Sequence, residues 1–341
     1  MTSLNVLQQL NIFKDQFGRE KRKLRISVTD RCNFKCVYCM PEHPKWMAKH
    51  QLLSFEELYQ FCDFMVQRGI EHIRITGGEP LMRQGVVHFI AQLQSLKKKG
   101  LKKVSMTTNG HYLKQYVKGL KQAGLDDINI SLDSLDQDQF FQLTQRQIEP
   151  VLQGIHAAKE AGLKIKINTV LIKNLNENQI IPLVRWSIQH NVQLRFIEYM
   201  PLDGDGQWSH ADVVSEQEIL AILSQFFVVN EDIQQGSNPA RQYFIQQHPI
   251  GIISTISHSF CKQCNRLRLN AQGEFFNCLF AKNGLNIKSD IQQLVTHPKK
   301  AQHRLDAQLG HYIWHKERGY HAIQTKPITS NRKISMYQIG G

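Results

Sequence analysis

Apolar residues along this chain follow two rhythms that take turns. Short segments alternate apolar with polar positions, and longer segments place an apolar residue at every third or fourth position. The first rhythm predicts strands over 24–29, 72–76, 103–107, 128–131, 164–171 and 193–197. The second predicts helices over 55–68, 86–98, 112–123, 151–161 and 177–190. The punctuation agrees. Ser54 and Glu57 form a capping box ahead of the first helix, and Gly69, Gly100 and Gly162 stand where helices should stop. Strand and helix at this spacing mean βαβ units and a parallel sheet. About six units fit, fewer than a closed eight-unit barrel needs, so the expected fold is α/β, an incomplete TIM-like (β/α)6 barrel.

Beyond about residue 230 the alternation fails, and Gly236-Ser237-Asn238-Pro239 reads as a boundary. The expected organisation is a core over 1–235 and a smaller C-terminal part over 236–341. No apolar run approaches the ~18 residues of a membrane span, and residues 1–14 lack the pattern of a secretory signal. A cytoplasmic protein with no membrane partner is expected.

The chemically distinctive residues gather at the C-terminal ends of the predicted strands. A group of cysteines follows the first strand and Gly77-Gly78-Glu79-Pro80 the second. Thr107-Thr108-Asn109-Gly110 ends the third, Ser131-Leu132-Asp133 the fourth and Glu198-Tyr199-Met200 the sixth. Barrel enzymes build their active sites on that rim. Ordinary turn composition accounts for Asn109-Gly110, but not for three cysteines in one loop.

Six of the seven cysteines fall into two triplets, Cys32-x3-Cys36-x2-Cys39 and Cys261-x2-Cys264-x13-Cys278. Cys62 stands alone on a helical pattern and reads as a core residue. This usage points away from disulfides and toward metal or redox chemistry. The formal net charge of +13 suits either nucleic acid or a small polyanionic substrate. The basic runs at 19–25 and 97–99 are short and carry no interleaved aromatics, so nucleic acid is not the expected partner.

For the first triplet, zinc would want a fourth ligand, and His43 is the only neighbour to offer one. A [4Fe–4S] cluster held by three thiolates keeps one iron open for a reacting group. For the second triplet, a zinc ribbon would need His258. The alternation from Asn265 to Leu269 puts Arg266 and Arg268 on one face, either a solvated face or a pair suited to bidentate phosphate contacts.

The first triplet, with Tyr38 before its last cysteine, resembles the radical SAM superfamily signature. Both triplets together resemble the GTP 3′,8-cyclase family, which opens molybdenum cofactor biosynthesis. The carrying segments span nearly the whole chain: 25–32, 74–80, 107–110, 131–136, 166–168, 195–200, 261–268 and the terminal Gly340-Gly341. The resemblance implies two [4Fe–4S] clusters, one on Cys32, Cys36 and Cys39 and one on Cys261, Cys264 and Cys278, with S-adenosyl-L-methionine on the first. It implies Tyr38, Gly78, Ser131 and Met200 as cofactor contacts, with Glu79 offered to the methionine ammonium. It implies GTP contacts at Arg25, Arg74, Thr107, Lys166, Arg266 and Arg268, with Arg195 a lesser one. Arg25, Arg266 and Arg268 count as catalytic beside Cys32, Cys36 and Cys39.

The implied reaction begins with a 5′-deoxyadenosyl radical that takes the ribose 3′ hydrogen of GTP. Attack of the C3′ radical on guanine C8, completed by one electron and one proton, then gives (8S)-3′,8-cyclo-7,8-dihydroguanosine 5′-triphosphate, with the guanine seated on the second cluster. The implied partners are a second copy in a homodimer, a small electron donor such as flavodoxin, and a downstream cyclic pyranopterin monophosphate synthase.

Two departures touch expected substrate contacts. Gln145-Arg146-Gln147 stands where the family usually has Gly-Arg-Asp, and His72 where Lys or Arg is frequent. Two readings compete with the cyclase: a peptide-modifying radical SAM enzyme with an auxiliary centre, and a basic nucleic-acid-binding protein with two zinc modules. The tail Ile339-Gly340-Gly341 is expected to enter the site near Arg25 or the Gly-Gly-Glu-Pro turn, since glycine backbone fits where a side chain does not.

Overall fold

The structure, a computed structural model, describes residues 12–232, 238–324 and 335–340. The expected boundary at 235–236 and the terminal Gly341 lie outside the described residues. The first six strands are β1 (Lys23–Ser27), β2 (His72–Thr76), β3 (Lys103–Thr108), β4 (Asp127–Ser131), β5 (Lys164–Leu171) and β6 (Gln193–Glu198). Between them run α1 (Phe55–Val66), α2 (Val86–Leu93), α3 (Leu113–Gln122), α4 (Gln137–Thr144), α5 (Glu149–Glu160) and α6 (Ile180–His190). The Ser54 box opens α1 as expected, with the Glu57 N–H donating to Ser54 Oγ at 3.1 Å. The helix expected over 86–98 divides into α2 and a 3-10 segment, Gln94–Lys99. Helix α4 is an addition; at eight residues it is too short for a periodic pattern to stand out.

Farther along come α7 (Glu216–Ser224), β7 (Val229–Asp232), β8 (Arg241–Ile245), β9 (His248–Ile253), β10 (Arg266–Leu269), β11 (Glu274–Phe276) and β12 (Leu285–Asn286). Then follow α8 (Lys288–Thr296), α9 (Pro298–Trp314), α10 (Tyr320–Gln324) and α11 (Met336–Ile339). All 12 strands form one sheet in the order β12-β11-β10-β1-β2-β3-β4-β5-β6-β9-β8-β7. The six expected strands are consecutive and parallel. The later part of the chain lends one further parallel strand to each edge, β10 beside β1 and β9 beside β6. Antiparallel hairpins finish both edges.

Because successive side chains point to opposite faces, each strand has two characters. One face carries Leu24, Ile26, Ile73, Ile75, Val104, Met106, Ile128 and Ile130, all buried in the main apolar core with the helices. The same strands put Lys23, Arg25, His72, Arg74, Lys103, Asp127 and Asn129 on the other face. Parallel strands buried on both faces normally read as continuous apolar runs. Here only one face does, and the other is the floor of a polar site. No helix among the described residues is long and apolar enough to cross a membrane.

Candidate active site

A cavity of ≈ 1460 Å³, including its open mouth, lies at the C-terminal ends of the parallel strands. Cys32, Cys36, Cys39, Tyr38, Gly78, Ser131 and Met200 line it, together with Thr107, Arg25, Arg195, Arg266 and Arg268. Arg74 and Lys166 are not part of that lining; they sit farther back along β2 and β5, around Asp127. The second cysteine triplet is represented at the wall by its neighbours Phe260 and Leu279.

The cysteine loop rests on the glycine turn. A Cβ on Gly78 would lie 2.4 Å from the Arg31 carbonyl oxygen, and one on Gly77 2.7 Å from that of Thr29. Their lack of side chains lets the Gly78 N–H reach the Thr29 carbonyl at 2.7 Å and the Glu79 N–H that of Arg31 at 2.8 Å. Glu79 departs from the expected role. Its buried carboxylate accepts from Thr108 Oγ1 at 2.8 Å, the Asn109 N–H at 2.7 Å and the Leu81 N–H at 3.0 Å. Burial pushes this acid up to about 7. Its side chain braces the end of β3, and Gly77 and Gly78 are the part of the turn that faces the cavity.

Within the cysteine loop, Tyr38 donates its hydroxyl to Asp133 Oδ2 at 2.6 Å, and Asp133 Oδ1 accepts from the Val170 N–H at 2.8 Å. Burial raises Asp133 to about 6 against these bonds. Burial also pushes the Cys32 thiol to about 12, and those of Cys36 and Cys39 upward.

The second triplet sits in the opposite electrostatic setting. Burial pushes Cys264 up, but Lys316, Arg266 and Lys21 outweigh it and leave the thiol at about 6. Arg19 Nη1 donates to the Cys261 carbonyl at 2.7 Å and Lys21 Nζ to that of Cys264 at 3.1 Å. Asp15 holds both cations, each at 2.6 Å. The loop is thus gripped by its carbonyls. Sequence reasoning missed Asp15, Arg19, Lys21 and Lys316, because nothing local marks a lysine as buried.

Among the described residues, no group of three or more His, Cys, Asp or Glu is placed to hold a single metal ion. His43 is exposed, and His258 pairs with Arg241 with Glu216 Oε2 3.7 Å away. A cubane cluster needs no such convergence, because each thiolate binds a different iron. Three half-buried cysteines in each triplet fit that donor set.

The sheet floor is a field of cations. In register, Arg25 lies between Arg268 and Arg74, while Lys23 lies between Arg266 and His72, which pairs with Lys103. Like charges side by side on one face destabilise a sheet. Burial and the neighbouring guanidiniums drive Arg25 well below its usual range, Arg195 and Arg268 to about 10 and Lys166 to about 8. Asp127 is the acid among them, with Lys103 at 2.5 Å, Arg74 at 3.4 Å and Lys166 at 3.9 Å. Arg195 Nε and Nη2, Arg266 Nε, Asn129 Oδ1 and Asn168 Oδ1 are buried with no partner. Buried groups of this kind are normally satisfied, so the field is incomplete without an anionic, hydrogen-bonding ligand.

The tail completes the site. Arg268 Nη1 donates to the Gly340 carbonyl, and a Cβ on Gly340 would fall 2.1 Å from Thr76 Oγ1. Met336 lines the cavity, and Tyr337 packs edge-on against Trp46 at 5.6 Å.

Residues 26–187 match a family model described as Radical SAM superfamily, and residues 192–322 one described as Molybdenum Cofactor Synthesis C. A GTP 3′,8-cyclase of Rhodopirellula baltica is 43% identical over 279 residues, 79% of this chain and 77% of that protein. The chain belongs to the GTP 3′,8-cyclase family. A GTP 3′,8-cyclase of Staphylococcus epidermidis is 36% identical over 342 residues, 97% of this chain and 99% of that protein. The fold is also that of Streptococcus suis SuiB, solved with S-adenosylmethionine, at TM-score 0.63 and 16% identity over 86% of this chain and 68% of that one. The GTP 3′,8-cyclase family lies within the radical SAM superfamily, whose members carry a [4Fe–4S] cluster and S-adenosylmethionine, and membership retires the peptide-modifying and zinc-module readings.

Proposed function

We propose that the chain converts GTP to (8S)-3′,8-cyclo-7,8-dihydroguanosine 5′-triphosphate, the first step of molybdenum cofactor biosynthesis. The observation that carries this reading is the cation row Arg268–Arg25–Arg74 together with the unpartnered guanidinium atoms of Arg195 and Arg266, of which Arg25, Arg195, Arg266 and Arg268 share one cavity with the cysteine loop. A triphosphate supplies the charge and the acceptors that such a floor lacks. Arg25, Arg74, Thr107, Lys166, Arg266 and Arg268 hold GTP in this reading, with Arg195 beside them.

Cys32, Cys36 and Cys39 hold one [4Fe–4S] cluster, and Tyr38, Gly78, Ser131 and Met200 position S-adenosylmethionine. Cys261, Cys264 and Cys278 hold a second cluster facing the guanine. The first cluster, once loaded and reduced, supplies the electron that cleaves S-adenosylmethionine for radical chemistry. The protein's own side chains bind the phosphates, orient the ribose toward the cysteine loop and close the site with Met336, Tyr337 and Gly340. A cytoplasmic homodimer, a small reductant such as flavodoxin and a synthase that takes the product onward belong to the same proposal.

Calorimetry with GTP, GDP and guanosine tests the substrate assignment. Affinity should fall with each phosphate removed. Arg266→Ala and Arg268→Ala should each lose ~1.5–3 kcal/mol, about ten- to a hundredfold in affinity. Equal binding of GTP and guanosine would refute it.

A further inference from the structure

Two lysines are almost completely buried, Lys21 at 0% exposed and Lys316 at 2%. An ammonium out of water is costly unless opposite charge or a full set of acceptors compensates it. Lys21 has Asp15 at 2.6 Å. Lys316 has no carboxylate in ion-pair range among the described residues; its ammonium has one acceptor, the Asn277 carbonyl. That leaves a buried positive charge without an evident reason, just beyond the end of α9.

The surroundings supply one. Asn277 immediately precedes Cys278, and its Nδ2 donates to the Tyr312 carbonyl at 2.8 Å, which fastens α9 to the cysteine segment. From the other side, Lys21 Nζ reaches the Cys264 carbonyl at 3.1 Å. Arg266, two residues past Cys264, adds a third cation. The carboxylate in this group, Asp15, is already shared between Arg19 and Lys21. At the first triplet the nearby buried ionisable groups are the carboxyls Asp133 and Glu79 and the phenol of Tyr38, with no buried lysine or arginine among the described residues acting on these thiols. One cysteine site is backed by buried cations and the other by buried acids.

We infer that Lys316 is the counter-charge of the second cluster: its ammonium, with Lys21 behind Cys264, favours the reduced centre and holds its potential above that of the first. The inference rests on the reading that Cys261, Cys264 and Cys278 carry a cluster. Reduction adds one negative charge, and a fixed cation in a low-dielectric setting stabilises it. Lys316 is a positioning residue here; it touches neither substrate nor the sulfurs.

The test is a redox titration followed by electron paramagnetic resonance on anaerobically reconstituted, substrate-free protein. Full-length protein with Cys32, Cys36 and Cys39 replaced by Ala isolates the second centre. In that background Lys316→Gln keeps a donor for the Asn277 carbonyl and removes the charge, while Lys316→Arg keeps the charge. The Gln variant should show a lower midpoint potential, and the Arg variant should return it toward the parent value. An unchanged potential in a Gln variant with full iron would overturn the inference. Loss of iron in the Gln variant but not the Arg variant would support a requirement for charge, and loss in both would assign Lys316 to shape alone and overturn it. The unmodified holoenzyme gives a check independent of any Lys316 variant: its second centre should reduce first as the potential is lowered, and the reverse order would contradict the inference. One cluster's worth of iron in the unmodified protein would overturn the two-cluster reading itself, before any potential is compared.

Discussion

Arg268 donates from Nη1 to the carbonyl of Gly340, 72 residues farther along the chain. The same arginine sits in register beside Arg25 at the head of the cation row. One guanidinium thus joins the substrate floor to the end of the tail. Ordering a tail costs ~1–2 kcal/mol per residue, so it must gain contacts in return. Arg268, the Trp46–Tyr337 ring pair and the hydrogen bond from the Tyr337 hydroxyl to the Lys45 carbonyl at 3.4 Å provide them.

Gly340→Ala should block cyclisation while leaving fold and iron content intact. The new Cβ would meet Thr76 Oγ1 at 2.1 Å, and the backbone at φ +78° disfavours any residue with a side chain. Product formation should fall at least about tenfold, the loss expected if ~1.4 kcal/mol of positioning disappears. A full product yield from this variant would make the tail a bystander.

The two triplets should do separable jobs. Alanine at Cys32, Cys36 and Cys39 should abolish reductive cleavage of S-adenosylmethionine. Alanine at Cys261, Cys264 and Cys278 should spare some cleavage and lose the cyclised nucleotide. Chromatography of 5′-deoxyadenosine and of the nucleotide from one reaction reads both, and normal product from the second variant would remove that triplet from the substrate site.

GTP affinity should weaken as pH rises above about 8. Burial, followed by the neighbouring Arg195, brings Lys166 down to about 8, although Asp127 opposes the shift. In the free protein this side chain therefore loses its proton as pH passes that value. A bound polyanion favours the ammonium, so binding on the alkaline side must take a proton from solvent. Calorimetry in two buffers of different ionisation enthalpy should register proton uptake near pH 9. Lys166→Met should remove much of that uptake, and an uptake that is unchanged would assign it to other groups.

Gln145→Gly should stabilise the protein by about 0.5–1 kcal/mol. Gln145 caps α4 at φ 59°, a left-handed backbone that penalises a side chain, and its N–H still reaches the Phe141 carbonyl at 2.8 Å. The sequence departure at this position is therefore a backbone cost. Urea denaturation of the two proteins measures the gain, and a midpoint that falls would contradict it.

Much of this was legible in the chain because one physical rule governs it. Alternation located all six core strands, residue for residue at His72–Thr76 and Lys164–Leu171. It also put Arg266 and Arg268 on one face, where both line the cavity. Starting β4 one residue late, at Ile128, hid Asp127, the carboxylate that organises Lys103, Arg74 and Lys166. Glu79 looked like a ligand because a motif's acid is assumed to face its substrate, whereas its oxygens are taken up by Thr108, Asn109 and Leu81. The parallel partnerships of β10 with β1 and β9 with β6 join residues far apart in sequence, and no local pattern encodes them. Lys21 and Lys316 escaped for the same reason, since their burial depends on what the distant chain packs over them.

The central claim is tested most directly by anaerobic turnover of the reconstituted protein with dithionite, S-adenosylmethionine and GTP deuterated at the ribose 3′ carbon, followed by mass spectrometry of both products. The account predicts deuterium in 5′-deoxyadenosine and a nucleotide that has lost it and become cyclised between C3′ and C8. Deuterium retained in unaltered GTP, with S-adenosylmethionine cleaved at the same rate whether or not GTP is present, would contradict it.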